Sequence, residues 1–195
     1  MLAPDLTATQ FGGKFAKKKT MVIANPIYDV VFKFLMENDR VAKFFIGTLL
    51  EETIEEVQLR PQEFVYKDER GIGFAVFRLD FIATIKTATG ERKKVLVEIQ
   101  KARNPLDLMR FRNYLGEQYK KQDEIDGQQV VLPIVSIYLL GFRLDEIHAS
   151  VVKVSRQYVD LITHEVIEKK SSFIEQLSHD CYVVQLKRIQ PKFQT

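Results

Sequence analysis

Hydrophobic and polar residues change period twice along this chain of 195 residues. Asn25-Pro26 has the form of a helix cap followed by proline at the first helical position. Ile27, Val30, Val31, Phe34 and Leu35 then recur at the spacing of one helix face. Asn38-Asp39 interrupts that pattern, and Val41, Phe44, Phe45 and Leu49 predict a second amphipathic helix running to about Glu56. From Gly73 to Lys86 the period falls to two. Phe77, Leu79, Phe81, Ala83 and Ile85 share one face, while Arg78, Asp80, Ile82, Thr84 and Lys86 share the other. Thr87-Ala88-Thr89-Gly90-Glu91 reads as a hairpin loop. Lys94 to Lys101 is the returning strand, with Val95, Val97 and Ile99 facing one way and Leu96, Glu98 and Gln100 the other.

Pro105 opens a long helix expected to reach about Ile125, where Asp126-Gly127 would end it. Val130 to Leu140 is a near-continuous apolar run, the mark of a strand covered on both faces. Strands are expected at Ser150–Val154, Tyr158–Val166 and Tyr182–Ile189, with a short helix at Ser172–Ser178. The predicted order is that of an α/β domain with a mixed sheet and a β-rich C-terminal tail. Residues 1–24 show no sustained periodicity and read as a flexible basic arm. Residues 25–195 form one domain.

Composition changes this picture little. A single cysteine, Cys181, rules out a disulfide scaffold and a cysteine-based zinc site; a buried structural thiol is the expectation for it. His148, His164 and His179 stand at spacings that suit no metal motif. Gly71-Ile72-Gly73 is too short for a phosphate-binding loop and reads as a turn. The longest apolar run, Val130 to Phe142, is broken by Pro133 and Ser136 and falls short of the roughly 20 residues a membrane span needs. With no charged-then-apolar leader, the expectation is a soluble, cytoplasmic protein.

Charge is more informative. The net charge of +3 is held by Lys14, Lys17, Lys18 and Lys19 against Asp5, which leaves the rest of the chain neutral. Within it, Glu51, Glu52, Glu55, Glu56, Glu63, Asp68 and Glu69 face only Arg60 and Lys67 across residues 51–69. Residues 91–121 are basic. One anion-facing surface, or a solvated charged helix, accounts for that stretch equally well, and a solvated helix face or an interaction surface accounts for the acidic one.

Asp80 and Glu98 lie inside otherwise apolar strands, where a carboxylate is costly to desolvate unless something pairs it. In a hairpin the two can lie across from one another on one face. Their repulsion is commonly relieved by a divalent ion such as Mg²⁺, which favours oxygen ligands. Gln100 shares that face, about 6.5–7 Å along the strand from Glu98, where it can hold an attacking water or a phosphate oxygen. A surface strand whose polar face happens to carry Asp, Glu and Gln is the other reading.

Asp80 followed by Glu98-Ile99-Gln100 resembles the PD-(D/E)XK nuclease signature in its Glu-x-Gln form. More closely, the chain is similar to the PD-(D/E)XK family transposases, also called recombination-promoting nucleases. Their opening pattern reappears as Asn25-Pro26-Ile27-Tyr28-Asp29-Val30-Val31-Phe32-Lys33, their central element as Val97 to Lys101, and their following helix as Arg110-Phe111-Arg112-Asn113-Tyr114. The likeness covers residues 25–140 well and the tail more loosely. It implies a restriction-endonuclease-like core, a mixed central sheet flanked by helices, spanning residues 25–195. Leu79 stands where the signature has Pro, and Gln100 where many relatives have Lys. The chain also ends soon after its last predicted strand, where relatives often continue with an accessory segment.

The resemblance implies a DNA endonuclease linked to transposition or recombination, in which Asp80, Glu98 and the Ile99 carbonyl hold Mg²⁺ or Mn²⁺. Gln100 is a positioning residue, and Lys101 an outside candidate for the missing Lys if a bulge turns it inward. Asp29 and Lys33, one helical turn apart, are either site residues or a surface ion pair. Arg110, Tyr114 and Gln118 recur every four residues and resemble the Gln-x-x-x-Tyr element of exonuclease-type nucleases. Arg110 would bind phosphate by its planar fork, while Tyr114 is a substrate contact or a core residue. Cutting both strands would favour a homodimer or sequential nicking. The alternative is a nuclease-fold domain that binds nucleic acid or a protein partner without cutting.

Overall fold

The computed structural model describes residues 29–59, 63–67, 74–78, 81–101 and 103–189. Helices α1 (Asp29–Met36) and α2 (Asp39–Leu50) lead into strands β1 (Ile54–Leu59), β2 (Glu63–Lys67), β3 (Phe74–Arg78), β4 (Phe81–Thr87) and β5 (Arg92–Gln100). After α3 (Pro105–Lys120) come β6 (Asp123–Ile125), β7 (Gln128–Val130), β8 (Ile134–Leu140), β9 (Val151–Val154), β10 (Tyr158–Val159) and β11 (Val166–Ile167). Helix α4 (Ser172–Leu177), β12 (Asp180–Gln185) and a 3-10 turn at Leu186–Arg188 complete the described order.

The central sheet has six strands in the order β1-β4-β5-β8-β12-β9. β1, β4 and β5 form an antiparallel meander, β8 runs parallel to β5 after the α3 crossover, β12 is parallel to β8, and β9 closes the sheet antiparallel. Strand alternation divides the core into two. Phe81, Ala83, Ile85, Val95, Val97 and Ile99 pack toward Phe32, Met36, Ala42, Ile46 and Leu50 of α1 and α2. Ile82 and Leu96 pack on the opposite face with Phe111 and Tyr114 of α3. The mixed α/β sheet expected from the sequence is present. Among the described residues no helix is long and apolar enough to cross a membrane.

Several elements differ from expectation for identifiable reasons. The second helix stops at Leu50, not Glu56. Glu51 adopts a left-handed conformation with φ 57° and donates its N–H to the Gly47 carbonyl, a C-cap that turns the chain into β1. A β-carbon on Gly47 would meet the Glu52 carbonyl oxygen at 2.7 Å, so the turn needs glycine there. Of the acidic run, Glu55 and Glu56 therefore lie in β1 and Glu63 in β2, and a solvated helix does not describe them. The helix phases also differ: Phe34 and Phe44 are 73% and 75% exposed, while Phe32, Met36, Ala42 and Ile46 face inward. Phe32 makes edge-on ring contacts with Phe45 and Phe81.

Helix α3 stops at Lys120, and Asp126-Gly127 is the two-residue turn of the β6–β7 hairpin, not a helix end. Both residues have positive φ, 51° and 77°, the geometry tight hairpins require and Asp-Gly supplies. The long alternating stretch divides: β3 pairs with β2 in a separate two-stranded sheet, and β4 alone joins the central one. Tyr158–Val166 is a small β10–β11 hairpin, closed by the Asp160 carboxylate accepting from the Ile162 and Thr163 N–H groups, in place of one strand. The final strand ends at Gln185 where the 3-10 turn begins. The arm, residues 1–24, and the Asn25-Pro26 cap lie outside the described residues.

Charge pairing follows the strand order. Glu52 accepts from Lys93 at 2.6 Å, and Glu55 and Glu56 lie 3.4 and 3.3 Å from Lys86. Glu56, and then Glu55, hold the Lys86 ammonium above its ordinary pKa. On the α3 face, Lys94 is buried and meets Asp123 of β6 at 2.8 Å. Arg156, in the loop after β9, donates to Asp180 at 2.9 Å and to the Glu175 carboxylate and the Ser178 carbonyl, so one guanidinium joins β9, α4 and β12.

Two stability predictions follow from these pairs. Lys94→Ala leaves Asp123 buried without its cation and is expected to cost about 3–5 kcal/mol in urea unfolding, whereas Lys94→Met combined with Asp123→Leu should restore most of it. Burial pushes the Asp180 carboxyl up, but the Arg156 hydrogen bonds and charge outweigh it and hold the group below its ordinary value of about 3.8. The native state therefore gains stability above that value and loses it as the pH falls through the lower folded one. Unfolding free energies of parent and Asp180→Asn from urea titration should differ by roughly 1–3 kcal/mol at neutral pH and converge once the pH falls below the folded-state pKa of Asp180.

Candidate functional site

Every residue of β5 from Lys94 to Gln100 is buried. Alternation sends Val95, Val97 and Ile99 into the α1–α2 core, so Lys94, Leu96, Glu98 and Gln100 face α3. Glu98 is 1% exposed. A carboxylate at that depth requires polar neighbours. Its Oε1 accepts from Nη2 of Arg110 at 3.3 Å and, more weakly, from Nε2 of Gln100 at 3.5 Å.

The capping of α3 sets Arg110 in place. The Asn104 side chain accepts from the Leu106 N–H at 3.0 Å, and Pro105 takes the first helical position. From that start Phe111, Tyr114 and Gln118 fall inward, and Arg110, 45% exposed, reaches back over the sheet to Glu98. Asp107 holds the same guanidinium at 3.5 Å. Arg110 thus spans the boundary between a buried carboxylate and solvent.

Tyr138 of β8 stands opposite Glu98 in the parallel register. Its ring packs against Phe111 with centroids 4.6 Å apart. Burial first, then the neighbouring Cys181 and Glu98, pushes the phenol far above its ordinary range, so it stays a neutral hydroxyl at physiological pH. Tyr138 was not among the residues expected at the site. No local pattern in the strand marks it; its place beside Glu98 comes from the parallel register.

The structure therefore brings together Glu98, Gln100 and Arg110 of the expected set. Asp80 lies outside the described residues; its successor, Phe81, pairs with Val97, the neighbour of Glu98. The Ile99 side chain is in the opposite core. Lys101 is exposed just past the strand, and the β5–β8 register runs without a bulge through Gln100. Tyr114 is in the core, 1% exposed, where it seats α3 against the sheet. Asp29 begins α1, and Lys33 is half-buried on it; that helix packs on the sheet face opposite α3 through Phe32 and Met36. Among the described residues no group of three or more His, Cys, Asp or Glu side chains is placed to hold a metal ion. Cys181 is half-buried, not fully buried as expected, and what burial it has raises its thiol pKa.

The Glu98–Arg110 contact is measurable by itself. Arg110→Ala should lower stability by roughly 1.5–3 kcal/mol, the value of a hydrogen bond to a charged group. Arg110→Lys should recover part of that, and a double-mutant cycle with Glu98→Gln should show a coupling energy of the same sign.

Comparison with protein-family models, with curated proteins and with solved structures found no match to this chain.

Proposed function

We infer that this protein is a divalent-metal-dependent DNA endonuclease of the PD-(D/E)XK type, hydrolysing phosphodiester bonds in transposition or recombination within the cytoplasm. The observation that carries the reading is Glu98: a carboxylate buried on β5 toward its C-terminal end, with Gln100 beside it and an Arg from the next helix on its oxygen. The order of the antiparallel meander β1-β4-β5, the crossover helix α3 and the parallel strand β8 supports a restriction-endonuclease-like core.

The donor set fits a hard cation. Glu98, the Ile99 carbonyl and Asp80 are all oxygen donors, the chemistry Mg²⁺ and Mn²⁺ prefer. An ion held there supplies a bound water of lowered pKa and offsets charge developing on the phosphate. The protein's own groups do the rest. The Gln100 amide, two residues from Glu98 on the same face, orients the attacking water or a phosphate oxygen. Arg110, already half in solvent, turns its exposed N–H groups to the phosphate while Asp107 steadies it. Lys101, just past the end of β5, is a further candidate for the DNA path; Asp29 and Lys33 belong to α1 on the other sheet face, and Tyr114 serves by holding α3 in place. Cutting both strands requires a homodimer or two successive nicks.

Plasmid nicking tests this reading. The full chain should nick supercoiled DNA with Mg²⁺ or Mn²⁺ and not in EDTA. Asp80→Asn and Glu98→Gln, each close in shape to the parent, should reduce nicking about 100-fold or more with the fold intact by circular dichroism. A Glu98→Gln variant that nicks as well as the parent overturns the assignment. No nicking, with DNA binding that weakens as salt rises, identifies a binding domain on a nuclease fold instead.

A further inference from the structure

Beside Glu98, on the α3 face of the sheet, lies a cavity of about 520 Å³ that the proposed cleavage chemistry does not use. Phe111 and Tyr114 pack α3 on β4, β5 and the β8 residues Ile134 and Tyr138, and the cavity lies past that contact, beside the start of α3 and over Leu140 of β8 and Val183 of β12. Tyr138 and its register partner Val183 form the floor with Leu140. Leu108 of α3 is one wall, and Phe142 and Leu144 of the loop after β8 are the other. Gln100 lines the cavity too, so it opens directly against the candidate active site.

The loop wall is fixed before any ligand arrives. Gln185, fully buried, accepts from the Leu144 N–H at 2.6 Å and donates to the carbonyls of Ile147 and Ala149. Arg188 donates to the Leu144 carbonyl at 2.7 Å, and the Gly141 N–H donates to the Gln100 carbonyl at 2.8 Å. Arg103 lies over the Phe142 ring, 5.6 Å from its centroid, and is held there by the Arg143 carbonyl at 3.0 Å and the Asp145 carboxylate at 3.3 Å. The rim thus carries a guanidinium over an aromatic ring, and Arg110 and the exposed Arg112 lie beyond it on α3.

An apolar slot with a cationic rim suits a ligand that is flat and apolar on its faces and anionic along its backbone. An unpaired nucleotide strand has that character: the base stacks on aromatic and aliphatic surface, and the phosphates meet arginines. A base within a duplex is stacked and paired and cannot enter. We propose that the cavity receives one unstacked base next to the scissile phosphate, which makes single-stranded or locally unpaired DNA the preferred substrate. The position of that phosphate rests on the nuclease reading; the base-binding step does not.

The experiment separates the two. In EDTA, where nothing is cut, fluorescence anisotropy should show the full chain binding a single-stranded oligonucleotide about tenfold or more tightly than the matching duplex, and abasic sites in the strand should erase most of that gain. Leu108→Asp, on a half-exposed helix position, and Phe142→Leu, which keeps apolar volume but removes the ring, should each cut the preference for the intact over the abasic strand by about fivefold or more. The apolar dye ANS should be displaced by the intact strand and not by the abasic one. Equal binding of intact and abasic strands overturns the proposal, as does dye that no strand displaces, which points to an apolar side chain of a protein partner. The same oligonucleotides are then incubated with Mn²⁺. Base-dependent binding without cleavage supports the pocket and removes the nuclease reading alone; Glu98-dependent cleavage indifferent to abasic sites and pairing removes the pocket alone.

Discussion

The fold is organised around a conflict on β5. The strand lies mid-sheet with both faces covered, yet three of its inward residues, Lys94, Glu98 and Gln100, are polar. Water cannot reach them in bulk, so each must be answered by protein. Asp123 answers Lys94, Arg110 answers Glu98, and Gln100 leans on the same carboxylate. Those partners come from the segment between β5 and β8, which is why that segment holds a helix long enough to carry Arg110 to Glu98 and a hairpin that brings Asp123 back to Lys94. Apolar contacts through Phe111 and Tyr114 supply most of the attraction between α3 and the sheet; the charged partners fix where along the sheet the helix sits.

The same logic redistributes charge. Read along the chain, residues 51–69 are acidic and 91–121 basic, and one anion-facing surface is a natural expectation. In space β1 lies beside β4, and β4 beside β5, so Glu52, Glu55 and Glu56 meet Lys86, Arg92 and Lys93 at the edge of the meander. Those contacts are partly exposed and individually weak, but they consume the basic block near its start. The bases that face outward near Glu98 belong to its later part, Arg103, Arg110 and Arg112. Of these, Arg103 meets Asp145, and Arg110 meets Glu98 and Asp107, so strand order and helix phase, not the charge run, decide where the basic residues lie.

Much of this was legible because alternation is an unambiguous code. Parity alone put Glu98 and Gln100 on one face of a strand and Val95, Val97 and Ile99 on the other, and the structure has them so. Thr87–Glu91 is the hairpin loop, with Gly90 at φ 87°, and Asn104-Pro105 starts α3. Helix phase was harder. In α1 and α2 apolar residues occur around most of the circumference, and the faces periodicity picked, with Phe34 and Phe44 on them, are not the ones that pack; Phe32 and Ile46 face the core. Asp126-Gly127 suits either a helix end or a tight hairpin, and the hairpin that forms carries Asp123 to Lys94, a contact no local pattern reveals. Tyr138 was missed because its meaning comes from its parallel neighbour Glu98, a pairing no local pattern contains.

The two ends of β5 show how a buried charge becomes a candidate for function and not only for structure. Lys94 and Asp123 are 3% and 10% exposed, and the β6 strand closes over them; the pair is sealed, and its effect is to hold a hairpin. Glu98 is buried as deeply, but its partner Arg110 is nearly half in solvent, and Gln100 beside it borders an open apolar cavity. A purely structural pair gains nothing from such an opening, since a wetter partner weakens the attraction that offsets desolvation. The open end is also the carboxyl end of β5 and its parallel neighbour β8, where ligands of open α/β sheets collect because the strands stop and their connections diverge. One strand therefore carries an internal control. Each end buries a charge of the same strand against a partner from the β5–β8 segment, and the access of that partner to solvent is what distinguishes them.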